Sequence, residues 1–373
     1  MNISAQKALV DALSQHSAYL YRASSQAVNE LTAQFNKLSN SQLNRLTEIL
    51  SELSDSERNA LKSLNFSSGA KSSKNIEEIK TILNDWFKAV DTELFEQFDK
   101  SALQLAVYEA TYSAKLVAGA AAVVNVEKIY KATKKVPYAG GQLVDYLFAD
   151  IAANLRKKVE HVIRDGISQG QTNQQIVQRI KGRKANDYRD GLLQSERYVI
   201  ERQVRTARSH VSNTSYLQTY EALGFTHIKF VSVLDGRSSF TCANLDQTMW
   251  KIDDPKIRRP PLHPNCRSTL IGVDADGNLG GVRPFVADER KIKNIPKDER
   301  DGIIGQVEAN TKFSDWFKDQ DDDFQRNWLG STRFELYKKS DFPIDKFVDP
   351  IGRKYTLDEL REIDKKTFEN LGL

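Results

Sequence analysis

The spacing of apolar residues constrains this chain most. It keeps to intervals of three and four almost without interruption as far as Gly224. Leu9, Leu13 and Leu20 (with His16 between them), then Val28, Leu31, Phe35 and Leu38, then Leu43, Leu46, Leu50 and Leu53 each trace one face of a helix. Ile76, Ile79, Ile82, Leu83, Trp86 and Phe87 form a further stripe, continued by Leu94, Phe95, Phe98, Leu103, Val107 and Tyr108. Leu143, Leu147, Ile151, Leu155, Val159 and Val162 mark a strongly periodic helix, which Gly166 and Gly170 bring to an end. The tetrad SDSE at Ser54–Glu57 is a capping-box signature, Thr172 caps another helix closed by Gly182, and one or two long helices run from Asp187 to Leu223. Strand character begins only beyond Gly224. HIKFVSVL, His227 to Leu234, is β-branched and aromatic and precedes the turn Asp235–Gly236; STLIGV, Ser268 to Val273, is a second strand. Short helices are expected again from about Asp298. The expected fold is mainly α-helical with a small α+β unit around the tetrapeptide HPNC.

A chain of 373 residues has room for two or three packed units. KKVPYAGG, Lys134 to Gly141, is the clearest break, and SSGAKSS, Ser67 to Ser73, reads as a flexible linker. The expected division is a helical region over 1–133, a linker over 134–144, a motif-bearing domain over 145–297 and a short-helix segment over 298–373. Charged residues are 28% of the chain and the net charge is +4, so total charge does not by itself indicate a nucleic-acid binder. Locally, Lys and Arg outnumber Asp and Glu about two to one between Asn154 and Arg208, whereas Asp319, Asp321, Asp322 and Asp323 make the last segment acidic. The two cysteines are too few for a disulfide-stapled scaffold. The first residues lack the apolar core of a secretory signal, so synthesis in the cytoplasm is expected. The longest uncharged apolar run, Leu116 to Val126, falls short of the ~20 residues of a spanning helix. Its small-residue part, Ala118 to Ala122, suits close helix packing.

Four motifs stand in fixed order. The first is IRDGISQGQTNQQIVQRIKG, Ile163 to Gly182. The second is a long helix with an Arg-Thr pair and an Asn, ERQVRTARSHVSNTSYLQTYEALG, Glu201 to Gly224. The third is KFVSVLDGRSSFTCANLDQTMW, Lys229 to Trp250, and the fourth is PPLHPNCRSTL, Pro260 to Leu270. Together they resemble the Mu F-like head morphogenesis domain of tailed-phage minor head proteins. The tail FSDWFKDQDDDFQRNWLGSTRFELY, followed by KYTLDEL, resembles the segment that commonly follows that domain. The likeness covers roughly residues 145 to 373. Only Cys242 precedes HPNC, where some relatives have two cysteines, and Ala207 follows Arg205-Thr206 where an acidic residue is common.

The resemblance implies a virion protein that is not an enzyme. It would be present in few copies inside the head at the portal vertex, with the portal protein and other head proteins as partners and no membrane contact in the mature head. It would act in head assembly, DNA packaging or genome delivery. The alternative is an effector enzyme delivered with DNA, such as a nuclease or a toxin-like transferase, because some relatives carry a toxin domain after this unit. For the former, the chain has five histidines, His16, His161, His210, His227 and His263, none paired in a short motif.

Cys242, His263 and Cys266 are the soft ligands of the motif region, with His263 and Cys266 three apart around Pro264. A structural zinc ion would need a fourth ligand, for which Asp235 or Asp246 are the candidates. Reduced thiol packing and a disulfide are the other two readings. In each, the cluster is structural and closes the α+β unit: if the two strands pair, their ends bring the thiols together. Asp235 reads more readily as the cap of its own turn than as a ligand. For non-specific contact with genomic DNA, the candidates are Lys181, Arg183, Lys184, Arg202, Arg205 and Arg208.

Overall fold

The computed structural model describes residues 3–118, 125–340 and 342–373, with only the backbone course given for residues 3–22 and the helix-end residues 118 and 126. The apolar spacing expected for Leu9 to Leu20 and the packing expected of Ala118–Ala122 therefore lie outside the described residues. The chain is 62% helical, with thirteen α-helices and two small sheets among the described residues, as the periodicity predicts.

Helix α1 (Ile3–Glu52) is one continuous helix of 50 residues rather than several. After the short α2 (Asp55–Leu61), capped by the Ser54–Glu57 box, α3 (Lys74–Ala118) runs for 45 residues. The apolar stripes read from sequence meet between α1 and α3. Leu31, Phe35, Leu46 and Leu50 pack with Ile79, Leu83, Trp86 and Leu94, all at most 1% exposed. The Trp86 indole donates to Ser39 Oγ (3.2 Å), which keeps a buried polar hydrogen satisfied. Further along α3, buried Ala102, Ala106, Ala110 and Ala114 recur every four residues and leave room for a neighbouring helix.

The next helices are α4 (Val126–Lys135), α5 (Leu147–Ser168), α6 (Asn173–Lys181) and α7 (Leu192–Ala222). Thr172 forms the expected capping box with Gln175. Gly166 is required by packing: a Cβ there would lie 2.6 Å from Ile176 Cγ1, so α5 and α6 touch through the missing side chain. One apolar core runs from Val28 in α1 to Val211 in α7 and includes Tyr138 and Val144 of the 134–144 segment. The front helices thus share their interior with α5, α6 and the first two-thirds of α7.

Helix α7 is the spine of the molecule. Its last turns leave this core and enter a second one, where Tyr216, Leu217 and Tyr220 pack on a three-stranded antiparallel sheet. That sheet has the order β3 (Met249–Lys251), β1 (His227–Val231), β4 (Thr269–Val273), with Phe230 opposite Leu270. The two strands anticipated from sequence therefore pair. Gly272 lets β4 press on the helix, since a Cβ there would lie 2.7 Å from Phe225 and 2.9 Å from Tyr220.

The run His227–Leu234 does not form one strand. The chain leaves the first sheet at Ser232, whose N–H donates to the Asp246 carboxylate (2.7 Å). Leu234–Asp235 (β2) then pairs in parallel with β5 (Val282–Val286), which pairs antiparallel with β6 (Ile304–Glu308). Strand β6 falls where short helices were expected. Its sequence IGQVE has no apolar alternation, and its pairing with β5 decides its conformation.

The remaining helices are α8 (Phe240–Leu245), α9 (Phe313–Lys318), α10 (Asp322–Leu329), α11 (Ser331–Lys339), α12 (Leu357–Ile363) and α13 (Lys365–Leu371). Helices α9 to α13 build a third, aromatic core against β2 and α8. Phe240 of α8 stacks on Trp328 of α10 with ring centres 4.2 Å apart, while Cys242, two residues on, faces the second core. Among the described residues, no helix is long and apolar enough to cross a membrane.

Candidate functional site

The motif residues converge where α7, α8 and the two sheets meet. Helix α7 holds the HPNC turn from below. Thr206 Oγ1 accepts the Asn265 N–H (3.0 Å), with Asn265 in the left-handed region at φ 58°. About two helical turns later, the Asn213 side chain takes the place of a strand. Its Oδ1 accepts the Leu270 N–H (3.0 Å) and its Nδ2 donates to the Ser268 carbonyl (3.4 Å). Thr206 of the Arg-Thr pair and Asn213 of the long helix thus dock the fourth motif onto the second.

The third motif supplies two buried carboxylates, each committed to an arginine. Asp235, its side chain 1% exposed, receives both terminal nitrogens of Arg267 (2.5 and 2.8 Å). It also caps its own turn by accepting the Arg237 N–H (3.0 Å). Burial alone pushes its pKa up, but the hydrogen bond and charge of Arg267, then of Arg237, outweigh that and hold it below the ordinary carboxylate range. Asp246, with no side-chain exposure, is gripped by Arg283 of β5 (2.9 and 3.1 Å) and also accepts the N–H groups of Ser232 and Phe313. Arg283 in turn donates to the carbonyls of Thr311 and Ser232. This pair ties the end of β1 to β5 and to the start of α9.

Between these pairs lies the thiol cluster. Ser239 caps α8 by accepting the Cys242 N–H (3.2 Å), which fixes both side chains on the first turn. The tight turn closed by Cys266 N–H to His263 O (3.2 Å) presents the other two. The sulfurs of Cys242 and Cys266 are 3.6 Å apart and unbonded, and His263 Nε2 lies 3.2 Å from Cys242 Sγ and 2.9 Å from Ser239 Oγ. The hydrogen bond from Cys242, aided by His263, pulls the Cys266 thiol well below its usual range despite burial, and Cys242 is pushed up correspondingly. Interaction with Cys266 raises His263, against the effect of its partial burial.

Three of the four residues read from sequence as metal ligands are therefore brought together, and Asp235 is not among them. Asp246, the other carboxylate considered, is also occupied elsewhere. Four of the six cations read as DNA contacts have partners within the chain or are buried. Arg208 is buried near Ser101, Arg205 pairs with Glu201 (2.9 Å), Arg183 pairs with Asp190 (2.6 Å) and Lys181 lies over the Tyr188 ring. Arg202 and Lys184 are exposed. Much of the remaining basic cluster is likewise paired within the chain, as in Arg156–Glu160, Lys158–Glu196 and Arg179–Asp165.

Sequence reasoning missed the Asp235–Arg267 and Asp246–Arg283 pairs and the part played by Ser239. A signal for Ser239 existed, since it precedes Cys242 by the interval that separates His263 from Cys266. For Arg283 the signal was a charge set among the strand residues of VRPFV. The roles of Thr206 and Asn213 carried no local signal, because their partners lie more than fifty residues away.

Asp235 gives a pH test. A carboxylate held below its unfolded value contributes stability that is fully present above pH about 4 and is lost as pH falls through its folded value. Asp235→Asn is therefore expected to lose about 1–3 kcal/mol at neutral pH. Its deficit against the parent should shrink as pH drops below about 4. Urea midpoints at pH 7 and pH 3 read this directly; an equal deficit at both values would contradict it.

In this region motif residues hold other parts of the chain, which defines a mainly helical protein with a small α+β unit docked on α7. The sequence pattern of the family described as Phage Mu protein F like protein matches residues 157–271. The match begins within α5, ends in β4 and takes in Thr206, Asn213, the Asp235–Arg267 pair and the thiol cluster, but not Arg283 or Phe313. Over these residues the chain is similar to phage Mu F-like head morphogenesis proteins. No curated protein and no solved structure matches it.

Proposed function

We propose that this protein is a minor head protein attached to the portal inside the phage head, where it acts in head assembly, DNA packaging or genome delivery. The family match over residues 157–271 carries the reading. The family is a structural one, and the motif residues here build a scaffold. Both thiols of the cluster are 3% exposed, which suits a clip better than a nucleophile that must meet a substrate, so the effector-enzyme alternative gains no support from them.

Attachment is assigned to the helical front. Leu103, Val107 and Tyr108 lie 38–41% exposed on one side of α3, an apolar surface of the kind that packs against a partner helix. Non-specific DNA contact in this reading falls to exposed Arg202 and Lys184, and two phosphate contacts would give only a shallow salt dependence.

Co-expression with the portal protein of the same phage tests the proposal. The two should co-elute as one complex, and the protein should be found in purified virions. Failure of both would sink it. Val107→Asp should leave the circular dichroism unchanged and weaken portal association by about tenfold or more. Undiminished association would move the attachment to the C-terminal unit.

A further inference from the structure

We propose that Cys242 Sγ, His263 Nε2 and Cys266 Sγ are three ligands of a tetrahedral zinc ion, with a water in the adjoining cavity as the fourth. The inference is independent of any portal attachment.

The first support is spacing. The three ligand atoms all lie within 4.8 Å of one another, with Sγ–Sγ 3.6 Å and Sγ–Nε2 3.2 Å for Cys242. Tetrahedral zinc, with bonds of about 2.3 Å to sulfur and 2.0–2.1 Å to nitrogen, sets such edges at about 3.8 and 3.5 Å. On the two Cys242 edges an ion therefore needs the ligands to move apart by only a few tenths of an ångström, and the third edge is no longer than 4.8 Å. A disulfide would need the sulfurs to approach to about 2.05 Å.

The second support is the histidine tautomer. Nδ1 lies 3.0 Å from the Pro264 carbonyl oxygen, which can only accept, so Nδ1 carries the proton. Nε2 then keeps its lone pair and points it at the thiols. A ring nitrogen bonded to a backbone carbonyl while the other faces the metal is the usual way in which a ligand histidine is oriented. Simple thiol packing gives no reason for an imidazole to be held in this orientation.

The third support is charge and room. Zn²⁺ with two thiolates is neutral, so the site needs no carboxylate. That agrees with Asp235 and Asp246 both being committed to arginines. A cavity of about 20 Å³ opens beside the cluster, lined by Ser239, Cys242, His263, Arg267 and Ser268 among others. It has the size for one water and polar groups to bind it. Ser239 also stands where a fourth protein ligand would complete two matched pairs, 239 with 242 and 263 with 266.

Cobalt titration of the reduced, chelator-stripped full chain tests this, because cobalt reports its coordination in the visible spectrum. The expected result is intense d–d absorption with thiolate charge-transfer bands, saturating at one equivalent and abolished by added zinc. Cys266→Ser and Cys242→Ser should lose the bands. Ser239→Cys should retain them and hold the metal at least about tenfold more tightly. The parent titration needs no variant to fold. If the reduced parent, with two thiols counted after denaturation, shows no such bands and elemental analysis finds no stoichiometric zinc, the site is refuted. Equal cobalt uptake by the Cys242→Ser, Cys266→Ser double variant would also refute it.

Discussion

Asp246→Ala is expected to cost about 3–5 kcal/mol of folding stability, the usual penalty for stranding one partner of a buried ion pair. The carboxylate has no exposure and four protein donors: two guanidinium nitrogens of Arg283 and the N–H groups of Ser232 and Phe313. Its loss leaves the Arg283 charge buried at 4% side-chain exposure and strands the N–H groups of Ser232 and Phe313. Urea unfolding followed by tryptophan fluorescence measures this, since Trp316 and Trp328 sit in the aromatic core next to α9. Arg283→Met is the informative partner. With both charges removed, the double variant should recover part of the loss, because two apolar groups cost less than one unpaired charge. A single-variant loss below about 1 kcal/mol would show that the pair is not a structural joint.

Removal of residues 1–65 should be larger still. It is expected to leave a chain that does not fold, rather than an intact remainder lacking one attachment surface. Val28, Leu31, Phe35, Leu43, Leu46, Ile49, Leu50, Leu53 and Leu61 are all buried in the core that α3, α5 and α7 share. At about 1.5–3 kcal/mol for each such side chain, their loss exceeds the whole stability of a typical domain, about 5–15 kcal/mol. The expected readout is insoluble protein or a chain without a cooperative thermal transition. A soluble truncation with the parent's near-ultraviolet circular dichroism would show that the front is a separable unit. The same packing explains why portal attachment is better probed by single substitutions on the exposed side of α3 than by deletion.

Much of the helical architecture was legible in the sequence, because a helix is a local object. Its hydrogen bonds close within four residues and its buried face repeats at 3.6, so the stripes through Leu31, Leu83 and Leu155 announce themselves without knowledge of their partners. The caps at Ser54 and Thr172 are equally local and form as read. The strands were only half legible. β1 and β4 are β-branched and their pairing was anticipated, but β6 takes its conformation from β5, and no property of IGQVE alone demands it.

The site divides in the same way. The sequence by itself led to the expectation that Cys242 and Cys266 would meet if the two strands paired; the structure brings them together with His263 through the first turn of α8 and the HPNC turn. The sequence also carried the family likeness through the order of its four motifs. Only the tertiary structure decided what the carboxylates and cations do. Asp235, a candidate ligand in the sequence, is held by Arg267 thirty-two residues away, and Arg205 and Arg208, candidate DNA contacts, turn into the protein. The physical reason is that a charge's role depends on whichever opposite charge folding brings within a few ångströms, and on how much water is left between them. Spacing along the chain encodes neither.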